Sequence, residues 1–491
     1  MRRVLLLLAA VLVAGATASA ALERRGPAGM ETGNWTRFGY DAARKNSGPS
    51  LTGITAANAQ SLWRQEIHLP GTVDSSPLYI HRAQVGDSRR DVFVAQTTYG
   101  KVDAIDADSG DVLWEFTPSG YSSVAGTRLI TTSSPALDSS ARFVYSASPD
   151  GYVHKLALAD GAEVKTDRWP AIVTLDPAHE KLGTSLNVSG KYLVVTTGGY
   201  PGDIPPYQGH VVTVDQETGR IVNVWNALCS SRHELMETDS CLTGGGIDIL
   251  WGGAIWARAG AVIQPGTGNL LVSTGNGEFD GHTRWGMSVV MLSPDAGHLL
   301  KYWTPTNWHQ LSAEDEDIGS TAPALLNDHL IVQGGKDAKL RLLDLRRMHP
   351  PPNVGKAPVL GGALQTLNAP GNERVFTAPA VWRKNGVAWL FVATSGGTSA
   401  YALESNRLKR RWTKPAGGTS PVVAGGLLYV YDWDAGLLNV YVPTSGKRVA
   451  SLPAGRGHWN SPIVSDGRIA LGQEDANAHV TSGVLNIYRL P

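Results

Sequence analysis

The chain has 491 residues, with 43 Lys plus Arg against 43 Asp plus Glu. This balance removes both the basic footprint of a nucleic-acid binder and an acidic-tail role. Charged residues make up 18%, below the roughly 25% of an average domain, and glycines number 56, which suits a large, turn-rich β protein.

At the N-terminus, Arg2 and Arg3 precede the apolar run from Val4 to Val13, and Ala18-Ser19-Ala20 offers small residues for cleavage. This is the layout of a secretory signal peptide over residues 1–20, and it leaves residues 21–491 as the mature chain in the periplasm or outside the cell. No later apolar run approaches the roughly 18 residues of a membrane span, so none is expected.

A small residue followed by proline opens a strand repeatedly, at Ser76-Pro77, Ser134-Pro135, Ala322-Pro323, Ala378-Pro379, Ser420-Pro421 and Ser461-Pro462. Degenerate copies at Thr184-Ser185-Leu186 and Gly252-Gly253-Ala254 fill the gap and bring the count to eight starts, roughly 55 residues apart. An apolar strand follows each start, as in Val92-Phe93-Val94 or Leu428-Tyr429-Val430, and a turn and a tryptophan commonly follow, as in Ala104 to Trp114 and Ala402 to Trp412. A four-stranded blade cannot bury both faces alone, and a large outer-strand aromatic docked on the next blade fills the gap. The prediction is an all-β chain: an eight-bladed β-propeller of four-stranded antiparallel blades, forming a single domain over 21–491. Val484 to Leu490 is expected to pair near the N-terminal segment and close the ring.

Cys229 and Cys241 would close a short loop, and in an oxidising compartment such a pair reads as a disulfide. With His233 they are too few for a zinc site. The basic run Arg407 to Arg411 falls on a predicted strand and reads as a solvated face. Pro350-Pro351-Pro352 marks a long loop in the fifth blade.

The stretch from Leu250 to Asp280 combines a Trp-Gly-Gly entry, a glycine-rich turn and the strand Leu270-Leu271-Val272, which ends in Thr274-Gly275-Asn276-Gly277. Glycines at a strand end admit a close neighbour or a flat ligand, and Asn276 offers a neutral oxygen there. The competing reading is a tight turn in which Asn276 is left-handed and caps its own backbone.

The turn series, the eight blades, the start Trp35-Thr36-Arg37-Phe38-Gly39 and the step from Ala57 to Trp63 together resemble the pyrroloquinoline quinone (PQQ) propeller superfamily over nearly all of the mature chain. Within that superfamily the chain resembles the quinoprotein alcohol dehydrogenases. The resemblance implies PQQ and Ca²⁺ as cofactors, Trp251 as the residue stacking on the quinone and Asn276 as a calcium ligand. It further implies Asp317, in Asp315-Glu316-Asp317-Ile318-Gly319, as the catalytic carboxylate, and Lys336, in Gly334-Gly335-Lys336-Asp337, as the cation contacting the quinone. The implied calcium set is Asn276, Asp317 and Asp203, the last being the one acid available in the third-blade segment from Thr197 to Asp203. These roles are chemically coherent: a flat indole suits a planar tricycle, oxygen ligands suit Ca²⁺, and a carboxylate can take a hydroxyl proton.

The chain departs from the family in lacking adjacent cysteines, with Ser133-Ser134 in the comparable blade. It also has no Cys-x-x-Cys-His haem motif, so an electron acceptor must be a separate molecule. Each residue also has a plain structural reading. Trp251 reads as a docking tryptophan like Trp114, Asp317 as a cap in an acidic loop, Lys336 with Asp337 as an exposed turn pair, and His458-Trp459-Asn460 as a packed histidine and aromatic. The expected function is oxidation of an alcohol, polyol or sugar hydroxyl by hydride transfer to a Ca²⁺-bound quinone. The alternative is a non-catalytic scaffold or binding module of the same superfamily, resembling outer-membrane assembly propellers and holding a protein partner.

Overall fold

The computed structural model describes residues 33–201, 206–237 and 252–491. Eight four-stranded antiparallel sheets follow one another along the chain, from Leu78–Val85 in the first blade to Gly483–Arg489 in the eighth. In each of the first seven, the four strands pair in sequence order. The eighth takes three strands from the C-terminus, and its outer strand is Trp63–Leu69 from the N-terminus, antiparallel to Gly483–Arg489 with Trp63 opposite Arg489. The ring therefore closes as the sequence predicts. Among the described residues, no helix is long and apolar enough to cross a membrane.

The blades bury their faces against one another. One apolar cluster joins Tyr79 and Phe93 of blade 1, Tyr429 of blade 7 and Leu471 and Leu485 of blade 8, all fully buried. At about 1.5–3 kcal/mol for each large apolar side chain, such seams hold the ring together. The outer-strand tryptophans dock as expected: Trp114 Nε1 donates to Leu158 O at 2.9 Å, and Trp412 Nε1 to Pro443 O at 2.7 Å. A Cβ at Gly161 would lie 2.6 Å from the Trp114 ring, so the turn glycine is what lets the indole seat. Strand Arg407–Lys414 turns most of its basic run to solvent, and Pro350 to Pro352 fall in the loop between Lys339–Asp344 and Gln365–Asn368.

The small-residue starts meet around the axis. Ser76 N donates to Ser134 Oγ at 2.9 Å, Thr321 Oγ1 to Thr377 O at 2.7 Å and Ala378 N to Ser420 Oγ at 3.0 Å, so blades 1, 5 and 6 each bond to the next blade there. The fourth start differs from the sequence expectation. The first strand of blade 4 is Val262–Ile263, and the partner of Ser185 N is Arg258 O at 3.0 Å, not Gly252-Gly253-Ala254. A buried arginine occupies the place where the other blades carry a small residue.

Residues 34–49 run as a strap beneath the innermost strands. Trp35 pairs with Tyr79, Arg44 donates to Ser185 O and Leu186 O at 2.9 and 2.7 Å, and Asn46 Nδ2 donates to Ala378 O at 3.0 Å. One segment thus ties blades 1, 3 and 6 together across the ring.

Candidate functional site

Because every blade start lies at the axis, the residues just ahead of the starts converge. Thr132, Gly183, Trp256, Ser320, Phe376 and Trp459 each sit two residues before a start, and all six line a central cavity of about 410 Å³. Asn276, Asp317 and Lys336 line the same cavity. Three of the residues named from sequence therefore share one site. Trp251, Asp203 and Cys241 lie outside the described residues, as does the signal peptide expected over residues 1–20.

The strand Leu270–Ser273 delivers Asn276 as expected, and its glycine makes the close approach possible. A Cβ at Gly275 would sit 3.3 Å from both Asp317 Oδ1 and Trp256 Nε1, and one at Gly319 would collide with Gly275 N at 2.5 Å. Asn276 does not take the left-handed conformation of the competing reading. Its Nδ2 donates to Asp315 Oδ1 at 2.9 Å, while its Oδ1, on a residue only 5% exposed, has no hydrogen-bond partner among the described residues. A buried amide oxygen left unpaired is costly unless something coordinates it.

Asp317 is 2% exposed. Lys336 Nζ lies 2.8 Å from Asp317 Oδ2 and 2.6 Å from Asp315 Oδ1, and Trp256 Nε1 donates to Asp317 Oδ1 at 3.3 Å. Lys336 is thus no exposed turn pair: its neighbour Asp337 turns away to Arg341. Burial pushes the Asp317 carboxyl above its ordinary value and Asp315 adds to this, while Lys336 and the indole oppose it only in part. For Lys336, burial works against the charge, but the two carboxylates outweigh it and hold the ammonium protonated.

Trp256 was not singled out in the sequence. Lys336 Nζ sits 5.2 Å from its ring centroid, and rings continue along the wall through Phe376 at 6.0 Å to Trp459 at a further 5.3 Å. The signal that finds Trp256 is the step two residues before a blade start, once blade 4 is started at Arg258.

His458 and Trp459 also reach the cavity. His458, with its side chain 25% exposed, places Nδ1 2.8 Å from Asp74 Oδ2. Asp74 is wholly buried and also accepts from Trp459 N at 3.0 Å, Ala476 N at 3.3 Å and Arg258 Nη2 at 3.4 Å. Burial alone would raise its pKa, but His458 and Arg258 hold it down at about 2. Asp74, His458 and Asp475 lie close enough to bracket an ion, yet Asp74 already accepts four N–H donors and is a poor metal ligand.

Comparison with known structures fixes the architecture. The quinohemoprotein alcohol dehydrogenase of Comamonas testosteroni superposes with a TM-score of 0.66 at 16% identity, covering 93% of this chain and 80% of that one. A europium-containing methanol dehydrogenase gives 0.66 at 15%, covering 94% and 98%. The chain has the fold of the PQQ propeller superfamily. BamB from Moraxella catarrhalis is more distant, with a TM-score of 0.50 at 14% identity over 87% of this chain and 98% of that one. A family model described as outer membrane protein assembly factor BamB matches residues 40–148 of this propeller. No curated protein matches the sequence.

Proposed function

We propose that this PQQ-type propeller is a quinoprotein dehydrogenase of the periplasm or extracellular space that oxidises a hydroxyl group of an alcohol, polyol or sugar. The observation that carries the reading is the buried Asn276 Oδ1, unpaired among the described residues, in one cavity with the carboxylates of Asp317 and Asp315. An amide oxygen and two carboxylates are the donor set of a hard cation such as Ca²⁺. The face of Trp256 suits a planar tricycle, and Trp251 and Asp203 remain candidate contributors from beyond the described residues. Bound PQQ would supply the two-electron acceptor, and the cation a Lewis acid.

The chain's own residues have distinct tasks. Asp317 takes the hydroxyl proton of the substrate, and its raised pKa makes it a stronger base than an ordinary carboxylate. Lys336 fixes Asp317 through Oδ2 and holds positive charge over the Trp256 ring, where it would stabilise negative charge on a bound ligand. Burial by Trp256, Phe376 and Trp459 excludes water and strengthens both effects. Electrons leave to a separate acceptor.

The test is dye-linked turnover with an alcohol and sugar panel after loading with PQQ and Ca²⁺. Turnover by the native chain, lost in Asp317→Asn with PQQ binding retained, supports the reading. Equal loss of turnover and binding removes the base role. A second reading, a non-catalytic scaffold for a protein partner, draws on the BamB-described match over residues 40–148. It is favoured if PQQ binds under no condition.

A further inference from the structure

Among the described residues, the cavity wall carries Lys181, Arg258, Lys336 and Arg374 against the carboxylates of Asp315 and Asp317. Lys336 is matched by Asp315 and Asp317. Arg258 is consumed by Asp74 O at 2.7 Å, Thr132 O at 3.1 Å and Trp459 O at 3.1 Å. Lys181 also lines the cavity, and no hydrogen bond or ion pair engages its ammonium among the described residues.

Its placement is built rather than incidental. Lys181 belongs to the two-residue strand Glu180–Lys181, which pairs with Gly198–Gly199, Lys181 lying opposite Gly198. Glu180 anchors that ribbon in the interior, accepting from Gln208 N at 3.1 Å and sitting 2.8 Å from His210 Nε2, with Thr174 on its other oxygen. On the cavity side, a Cβ at Gly198 would lie 2.8 Å from Trp256 Cβ, so the ribbon is flush against the aromatic wall. The Lys181 stem packs over Gly183, with Cε 3.2 Å from where a Cβ would be. Lys181 and Trp256 thus line one cavity, with the Lys181–Gly198 ribbon packed against the indole residue. Burial depresses the ammonium to about 8, with Arg258 adding to this and the carboxylates of Asp74 and Asp475 opposing it only in part.

We infer that Lys181 is an oxyanion-binding residue that takes a carboxylate of the ligand seated on Trp256. This rests on the dehydrogenase reading in that two sources of the carboxylate follow from it: the quinone cofactor itself, or a hydroxy-acid substrate. Arg374, exposed at the cavity wall, adds positive charge on the same surface.

Lys181→Met keeps the stem and removes the charge, and Lys181→Arg restores it. Tryptophan quenching with PQQ is expected to weaken at least tenfold in Lys181→Met and to recover in Lys181→Arg. The PQQ trimethyl ester, lacking free carboxylates, is expected to bind native and Lys181→Met proteins alike. A rise confined to KM for a 2-hydroxy acid, with neutral alcohols and PQQ affinity unmoved, assigns the carboxylate to the substrate. If the native chain binds no PQQ, the dehydrogenase reading fails, while Lys181-dependent binding of benzene-1,3,5-tricarboxylate still supports the oxyanion site. Equal affinity of native and Lys181→Met proteins for PQQ and the tricarboxylate, together with an equal KM for the hydroxy acid, overturns it.

Discussion

Asp74 and Asp317 are both buried aspartates beside the same cavity, and their surroundings push them in opposite directions. Asp74 accepts four N–H donors, three of them from residues His458, Trp459 and Ala476 at the other end of the chain. Its carboxyl is held at about 2, so it stays charged and saturated. Asp317 has one ammonium, one long indole contact and a like charge nearby, and burial wins. A saturated carboxylate holds structure. An under-served one is free to do chemistry.

That contrast can be broken from either side. The largest effect is expected for Asp317→Asn, which should lower dye-linked turnover by about 10²–10⁴-fold, the usual contribution of a positioned base, while its PQQ affinity and unfolding midpoint stay close to the native values. Asp74→Ala should do the reverse to stability: with Arg258 and His458 left without their buried partner, denaturant unfolding should show a loss of about 3–5 kcal/mol.

Acid titration separates the two next. The folded pKa of Asp74 lies below its ordinary 3.8, so its stabilising contribution is present above that value and is lost as pH falls through about 2. Unfolding at a series of acid pH values should show about 2 kcal/mol of this dependence, absent in Asp74→Asn. The smallest expected effect is a shift in profile rather than a loss. Removing the cation in Lys336→Met should move the acidic limb of kcat/KM upward, because Lys336 is the main influence holding Asp317 down. An unmoved limb would detach that limb from Asp317.

The propeller was legible because its physics repeats. A small residue sits at most axial starts and a tryptophan fills several outer seams, so Ser76-Pro77 through Ser461-Pro462 and Trp114 and Trp412 write the blades into the chain. Asn276, Asp317 and Lys336 were legible through resemblance, and the cavity brings them together. The fourth start was not legible. Gly252-Gly253 imitates a small start, while the axial position is held by Arg258, tolerated there because Asp74 and the carbonyls of Thr132 and Trp459 absorb its charge. Misplacing that start hid Trp256. The Asp74–His458 contact was equally hidden: it joins residues 384 apart, across the seam where the ring closes, and no local pattern reports it. His458-Trp459 accordingly reads as packed interior in sequence, although both side chains face the cavity.

The most direct measurement is calorimetric titration of PQQ into the metal-stripped mature chain, with and without Ca²⁺, in the native protein and in Asn276→Ala. One-to-one binding that requires Ca²⁺ and weakens when the Asn276 oxygen is removed is the predicted result. No heat under any condition would contradict the quinoprotein account and leave the propeller to a protein partner.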